Sequence, residues 1–181
     1  MSEWKFNRDA IRAFRFVRCA FDANTGIGQL VYAFDDGPEM IETITVPGAP
    51  FELDGERAAA AERALRLLHL IAGVSYYKAA VPSEIRIDSY AIDADTAALL
   101  ELIYVNGLGE FAYRNGLNLH GKIRFPVSQQ DNAIAPALGL REHALVAIGG
   151  GKDSLVSIEA LRALGVEQTV TWIGGSQLIR A

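Results

Sequence analysis

The stretch "FRFVRCAFDANTGIGQLVYAFDDGPEMIETITV" (residues 14–46) contains three short runs rich in aromatic and β-branched residues, at 14–21, 29–34 and 40–46. Between them lie "DANTG" and "DDGPE", clusters that favour tight turns. Short turns join antiparallel neighbours, so the stretch reads as a three-stranded β-meander, closed by the "PGAP" at 47–50. Towards the C-terminus, "GERAAAAERALRLLHLIAG" (55–73) is the clearest helix. Ala58, Ala61, Leu65, Leu68 and Ala72 recur at spacings of three and four and define its inner face. Asp54 stands where a cap is expected, and Gly73 suits a left-handed residue beyond the end. Glu62, Arg66 and His69 fall opposite, which makes His69 an exposed helix histidine.

Further along, "EIRIDSYAI" (84–92) reads as a strand and "DTAALLELIYVNG" (95–107) as a second helix. That helix is apolar nearly all round and so is expected to be buried, with Glu101 meeting a partner or lying at the core's edge. "GEFAYRNGL" (109–117) extends it as a short helix, and "GKIRFPV" (121–127) reads as a last strand. Residues 1–127 thus form an α+β N-terminal domain, an antiparallel meander with helices. The polar, aperiodic 128–142 is a linker. A different texture follows in 143–181. "HALVAI" (143–148) has the look of a strand buried on both faces of a parallel sheet. A helix over 154–164, with apolar residues at 155, 158, 161 and 164, and a strand over 167–175 complete one βαβ unit. One such unit is only the start of a parallel α/β domain, so the chain reads as an N-terminal, inactive fragment.

Composition narrows the functions. The 181 residues are half hydrophobic, enough for one core and part of a second. No run approaches a membrane span, and the charged, aromatic N-terminus is no signal peptide. A net charge of −5 argues against a general nucleic-acid binder. The single cysteine, Cys19, excludes an internal disulfide and fits a reducing cytoplasm. Lys5, Arg8, Arg12, Arg15 and Arg18 cluster early; a solvated face of the first helix and strand is the preferred reading over an anion-binding patch.

The chemistry is concentrated in "ALVAIGGGKDSLVSIEALRALG" (144–165), where an apolar run stops at three glycines. The Walker A pattern fails, because Val146 and Asp153 stand where it needs Gly and Ser or Thr. The dinucleotide fingerprint fails too, because its third glycine falls at Ser154. Glycines nevertheless let successive N–H groups point at phosphate oxygens, and the following helix adds its positive end. "GGGKDS" resembles the PP-loop signature of the ATP pyrophosphatases. Gly150, Gly151, Asp153 and Ser154 match it, with Gly149 where serine is usual and Lys152 at the variable position. That resemblance implies an adenine nucleotide alpha hydrolase-like parallel sheet binding ATP. Asp153 makes sense beside a triphosphate if Mg²⁺ lies between them. Gly174, which helps close the next strand, Ser176 just after it, and Trp172 are expected near the base or ribose.

With "GVSYYKAAVP", "NGLGEFAYRNGL" and "GGSQLIRA" added, the whole chain resembles the N-terminal part of the UDP-N-acetylmuramoyl-L-alanyl-L-glutamate epimerase family. The resemblance implies a cytoplasmic isomerase of peptidoglycan precursor synthesis and cell-wall biogenesis. It would act on a UDP-linked muramoyl dipeptide and use ATP and Mg²⁺ to adenylate a carboxylate, so that the adjacent Cα proton becomes acidic enough for general base catalysis. Lys78, Tyr77 and Glu110 are the candidates for proton transfer, though surface or packing use is the preferred reading of each. Two alternatives remain open: another PP-loop enzyme, such as an amidotransferase-type synthetase or a tRNA-modifying enzyme, and a non-catalytic ligand-binding module.

Overall fold

Residues 4–128 and 137–172 are described by the computed structural model, and the chain divides into two units, Met1–Pro136 and Ala137–Ala181. After a 3-10 turn at Arg8–Ala10, the first unit contains β1 (Ala13–Asp22), β2 (Ile27–Phe34), β3 (Met40–Thr45), α1 (Gly55–Ala72), α2 (Val74–Tyr77), β4 (Glu84–Ile87), α3 (Ala94–Gly107) and α4 (Gly109–Arg114). The sheet order is β3-β2-β1-β4. β1, β2 and β3 form the meander, whereas β4 pairs with β1 in parallel, so the sheet is mixed and not purely antiparallel. The cause is the connection: two helices separate β3 from β4, and a crossover of that length returns a strand parallel to its neighbour. Only 84–87 of the strand expected over 84–92 pairs.

A bulge in β1 sets which side chains face inwards. Phe14 pairs with Phe34 and Phe16 with Tyr32, but the next partners are Arg18 and Val31, leaving Val17 unpaired. The inner face therefore carries Phe14, Phe16, Cys19 and Phe21, all in or against the core. Arg15 and Arg18 turn outwards. Arg15 Nη2 meets Asp88 at 2.7 Å and Arg18 Nη2 meets Glu39 at 2.8 Å, so these arginines line a paired outer face and not an anion site.

α1 packs on the inner face with Leu65, His69 and Leu70 buried, while Leu68 is exposed. His69 is thus a core residue, contrary to the expected stripe: the contact face runs 65–69–72, one position round from 65–68–72. Its Nε2 lies 3.0 Å from the Val31 carbonyl and so carries the proton, which leaves Nδ1 to accept from the Tyr90 hydroxyl at 2.9 Å. Burial lowers its pKa to about 4. Gly73 is not left-handed either, with φ −57° and ψ −20°. Glycine is needed there because a Cβ would collide with the Phe16 ring. Asp54 occupies the N-cap position of α1 but makes no side-chain cap bond.

α3 is capped by Asp93, whose Oδ1 accepts from Thr96 N at 2.6 Å. It buries Ala97, Leu100 and Tyr104 but leaves Leu99 46% and Leu102 61% exposed, so it is not buried all round. Glu101 does find partners, accepting from Arg124 Nη1 at 2.7 Å and from Phe125 N at 3.2 Å. That second bond explains why 121–127 forms no strand. Ile123 and Phe125 alternate into the core as a strand's residues would, but a side chain supplies the acceptor that a neighbouring strand would otherwise give.

The second unit comprises β5 (His143–Ala147), α5 (Lys152–Ala163) and β6 (Glu167–Thr171). β5 and β6 pair in parallel from His143↔Glu167 to Ala147↔Thr171. β5 is not buried on both faces: Val146 is buried, but Leu145 is 71% exposed, because one helix covers only one side of two strands. Of the expected 155–158–161–164 stripe of α5, Ile158 and Leu161 are half-buried while Leu155 and Leu164 are exposed, so only its middle packs. Most of the expected linker, residues 173–175 of the last strand, and both Gly174 and Ser176 lie outside the described residues.

Candidate functional site

The glycine loop follows the carboxyl end of β5. Ile148 N donates to Thr171 O at 2.8 Å, and the chain then turns through Gly149, Gly150 and Gly151 into α5. Gly150 has φ +80°, a conformation that itself favours glycine. Gly151, with φ −95° and ψ 166°, is the N-cap residue of α5. Among the described residues, a Cβ built on any of the three would meet no atom within 4 Å. Packing against the described residues therefore gives no reason for glycine at 149 and 151.

α5 starts at Lys152, two residues earlier than the sequence suggests, because the extended backbone of Gly151 already supplies the cap geometry. Ser154 consequently lies inside the first turn and does not cap the helix; its Oγ donates to Gly151 O at 2.8 Å. Among the described residues no side chain caps this twelve-residue helix, and the N–H groups of its first turn have no side-chain acceptor there. Lys152 and Asp153 are exposed, and among the described residues neither side chain has an ion-pair or hydrogen-bond partner. The set suits a phosphate chain: free amides at a helix's positive end, a cation and a carboxylate. Among the described residues no three His, Cys, Asp or Glu side chains gather around a metal position. Asp153 alone fits a cation that takes its other oxygens from phosphate and water. Trp172, half-exposed, follows β6.

The proton-transfer candidates are not brought together. Tyr77 is buried, donates to Pro82 O at 3.2 Å, and has its pKa raised to about 12 by burial; it serves the core. Lys78 follows α2 and is exposed. Glu110 pairs with Arg114 at 2.8 Å on the exposed face of α4. Sequence reasoning missed a cleft of about 320 Å³ in the first unit, walled by Arg8, Asp9 and Ile11, by 80–83, by 117–119 and by Lys122. At its edge Val81 has φ +51°, rare for a β-branched residue.

A family model described as the MurL N-terminal domain matches residues 5–181. The chain belongs to the MurL N-terminal domain family. Among curated proteins it is 73% identical over 176 residues to the UDP-N-acetyl-alpha-D-muramoyl-L-alanyl-L-glutamate epimerase of Xanthomonas oryzae pv. oryzae, covering 97% of this chain and 39% of that protein. It is 37% identical over 175 residues to the protein of the same name from Salinispora tropica, covering 93% of this chain and 38% of that one. A relative of that name from Micromonospora sp. is 37% identical over 164 residues, covering 86% and 35%. The chain thus spans less than two-fifths of the length of these relatives. No solved structure matches it. In this MurL N-terminal domain the glycine loop and the basic cleft belong to different units, the loop to Ala137–Ala181 and the cleft to Met1–Pro136. Among the described residues no helix is long and apolar enough to cross a membrane.

Proposed function

We propose that this chain is part of an ATP- and Mg²⁺-dependent epimerase that inverts the terminal L-glutamate of UDP-N-acetylmuramoyl-L-alanyl-L-glutamate, a cytoplasmic step in making peptidoglycan precursors. In this reading residues 143–181 begin the PP-loop nucleotide-binding domain. The observation that carries it is the glycine loop, where two of three glycines answer no need of backbone conformation or of packing against the described residues. The names of the relatives supply the substrate.

Main-chain N–H groups of Gly150, Gly151 and Lys152 bind phosphate oxygens, and the Lys152 ammonium offsets their charge. Asp153 would hold Mg²⁺, which would offset phosphate charge, with the first turn of α5 adding its positive end. Ser154, tied to Gly151 O, keeps the loop in shape. When bound, the nucleotide activates the glutamyl α-carboxylate by adenylation, removing the negative charge that otherwise makes the Cα proton so weakly acidic. The isolated 181 residues are expected to be inactive, because β5 and β6 under one helix leave the sheet incomplete. With a chain of the relatives' full length, epimerisation is expected to require ATP, to release pyrophosphate, and to fall at least about a hundredfold in Asp153→Ala. Equal turnover without ATP would overturn the reading.

A further inference from the structure

The cleft in the first unit has a chemistry of its own. Three separated segments build it: the 3-10 turn at Arg8–Ala10, the turn at 80–83 after α2, and the 117–122 segment after α4. Ile11, Ala80 and Leu119 supply apolar lining. Arg8 and Lys122 supply two cations, and among the described residues neither has an ion-pair or hydrogen-bond partner for its side chain. Arg15, Arg18, Arg86 and Arg124 of this unit each hold a carboxylate, whereas Arg12 and Arg57 share the lack of a side-chain partner among the described residues but do not line this cleft. Asp9, Ser83 and Asn118 add acceptors and donors. The 80–83 wall is fixed in a costly shape. Val81 at φ +51° is kept there by its N–H bond to Tyr77 O at 2.9 Å and by the Tyr77 hydroxyl on Pro82 O.

We propose that this cleft binds the nucleoside diphosphate end of the substrate, with the diphosphate between Arg8 and Lys122. A diphosphate diester carries two negative charges, which those two cations match. Asp9 does not face the phosphates in this arrangement; its carboxylate accepts from ribose hydroxyls or the base N–H, and the apolar lining carries the flat base. A volume of about 320 Å³ suits that end of the substrate and not the whole molecule. The cleft between Arg63, Arg66 and Asp93 is a poorer candidate, because Arg66 is held by Glu62 and lies 5.2 Å over the Tyr90 ring. The inference rests on the epimerase reading, which names a UDP-linked substrate, but it uses none of the glycine loop.

Calorimetric titration of a chain of the relatives' full length with UDP-N-acetylglucosamine, which carries the same diphosphate diester, tests it. Saturable binding is expected. It should weaken about tenfold or more in Lys122→Gln and in Arg8→Gln. It should be unchanged in Arg57→Gln, an exposed charge on α1 outside the cleft, and in the presence of saturating ATP. Because Arg8 and Lys122 are both exposed, loss of folding does not confuse the result, and thermal melts of the variants verify this. No binding, an equal loss in Arg57→Gln, or displacement by ATP overturns the cleft. If UDP-N-acetylglucosamine fails to bind while ATP still binds, the cleft falls and the glycine loop stands. If ATP fails to bind while the sugar nucleotide binds, the loop falls and the cleft stands.

Discussion

At the scale of single residues, His69 and Gly73 are decided by what surrounds them. His69 is fully buried, neutral, and bonded through both ring nitrogens. Its pKa falls from 6.5 to about 4. The unfolded chain therefore takes up a proton more readily than the folded one below pH 6.5. The stabilisation is fully present above that pH and is lost as pH drops towards 4, on the order of 3 kcal/mol over the whole window. Denaturant midpoints measured from pH 7 to 5, above the titration of ordinary carboxylates, are expected to decline, and nitrogen NMR should find the imidazole neutral at pH 5.5. A protonated ring at that pH would sink the account. Gly73→Ala is expected to cost about 1–3 kcal/mol, since its methyl group must displace the buried Phe16 ring. Neither residue was legible in the sequence. Leu67, Leu68 and Leu70 flank His69, so an apolar stripe could be drawn through either 68 or 69, and hydrophobicity favoured the leucine.

Elements were easier to read where their signal is local. The meander, α1 and α3 follow from turn residues and periodicity within a few positions. β4 and the 121–127 segment depend on distant partners. β4 is parallel because helices intervene, and 121–127 is irregular because Glu101, more than twenty positions away, bonds Phe125 N. Glu101→Ala removes that acceptor together with the Arg124 contact, and a loss of about 1–2 kcal/mol is expected. Glu101→Gln, which keeps a carbonyl oxygen, should recover part of it; thermal or chemical unfolding of the two variants makes the comparison. If the two are equally stable, the Phe125 bond contributes nothing. α3 shows the limit of counting apolar residues: the same sequence serves a helix with one face in the core and Leu99 and Leu102 in solvent.

Across the whole molecule, the two units differ in how much they bury. The first has an aromatic core built on Phe14, Phe16, Tyr32 and Tyr104, with Phe14 and Tyr32 rings stacked at 5.7 Å. In the second, Val146 is the buried hydrophobic residue among those described. Amide hydrogens of β5 and β6 are accordingly expected to exchange faster than those of β1 and β2 by several powers of ten; equal protection would mean the second unit is completed in some way its own residues do not display. The glycine loop was legible because its function rests on backbone, which glycine announces. The basic cleft was not, because Arg8, Val81 and Lys122 become neighbours only through the tertiary fold.

The bulge in β1 carries a consequence for chain length. Val17 is the supernumerary residue: strike it out and Phe16, Arg18 and Cys19 follow one another in–out–in, opposite Tyr32, Val31 and Leu30 as they already are. A one-codon deletion in the middle of a central strand ordinarily turns half of that strand inside out. Here it would leave every remaining side chain on its own side, and the shortened protein should still fold.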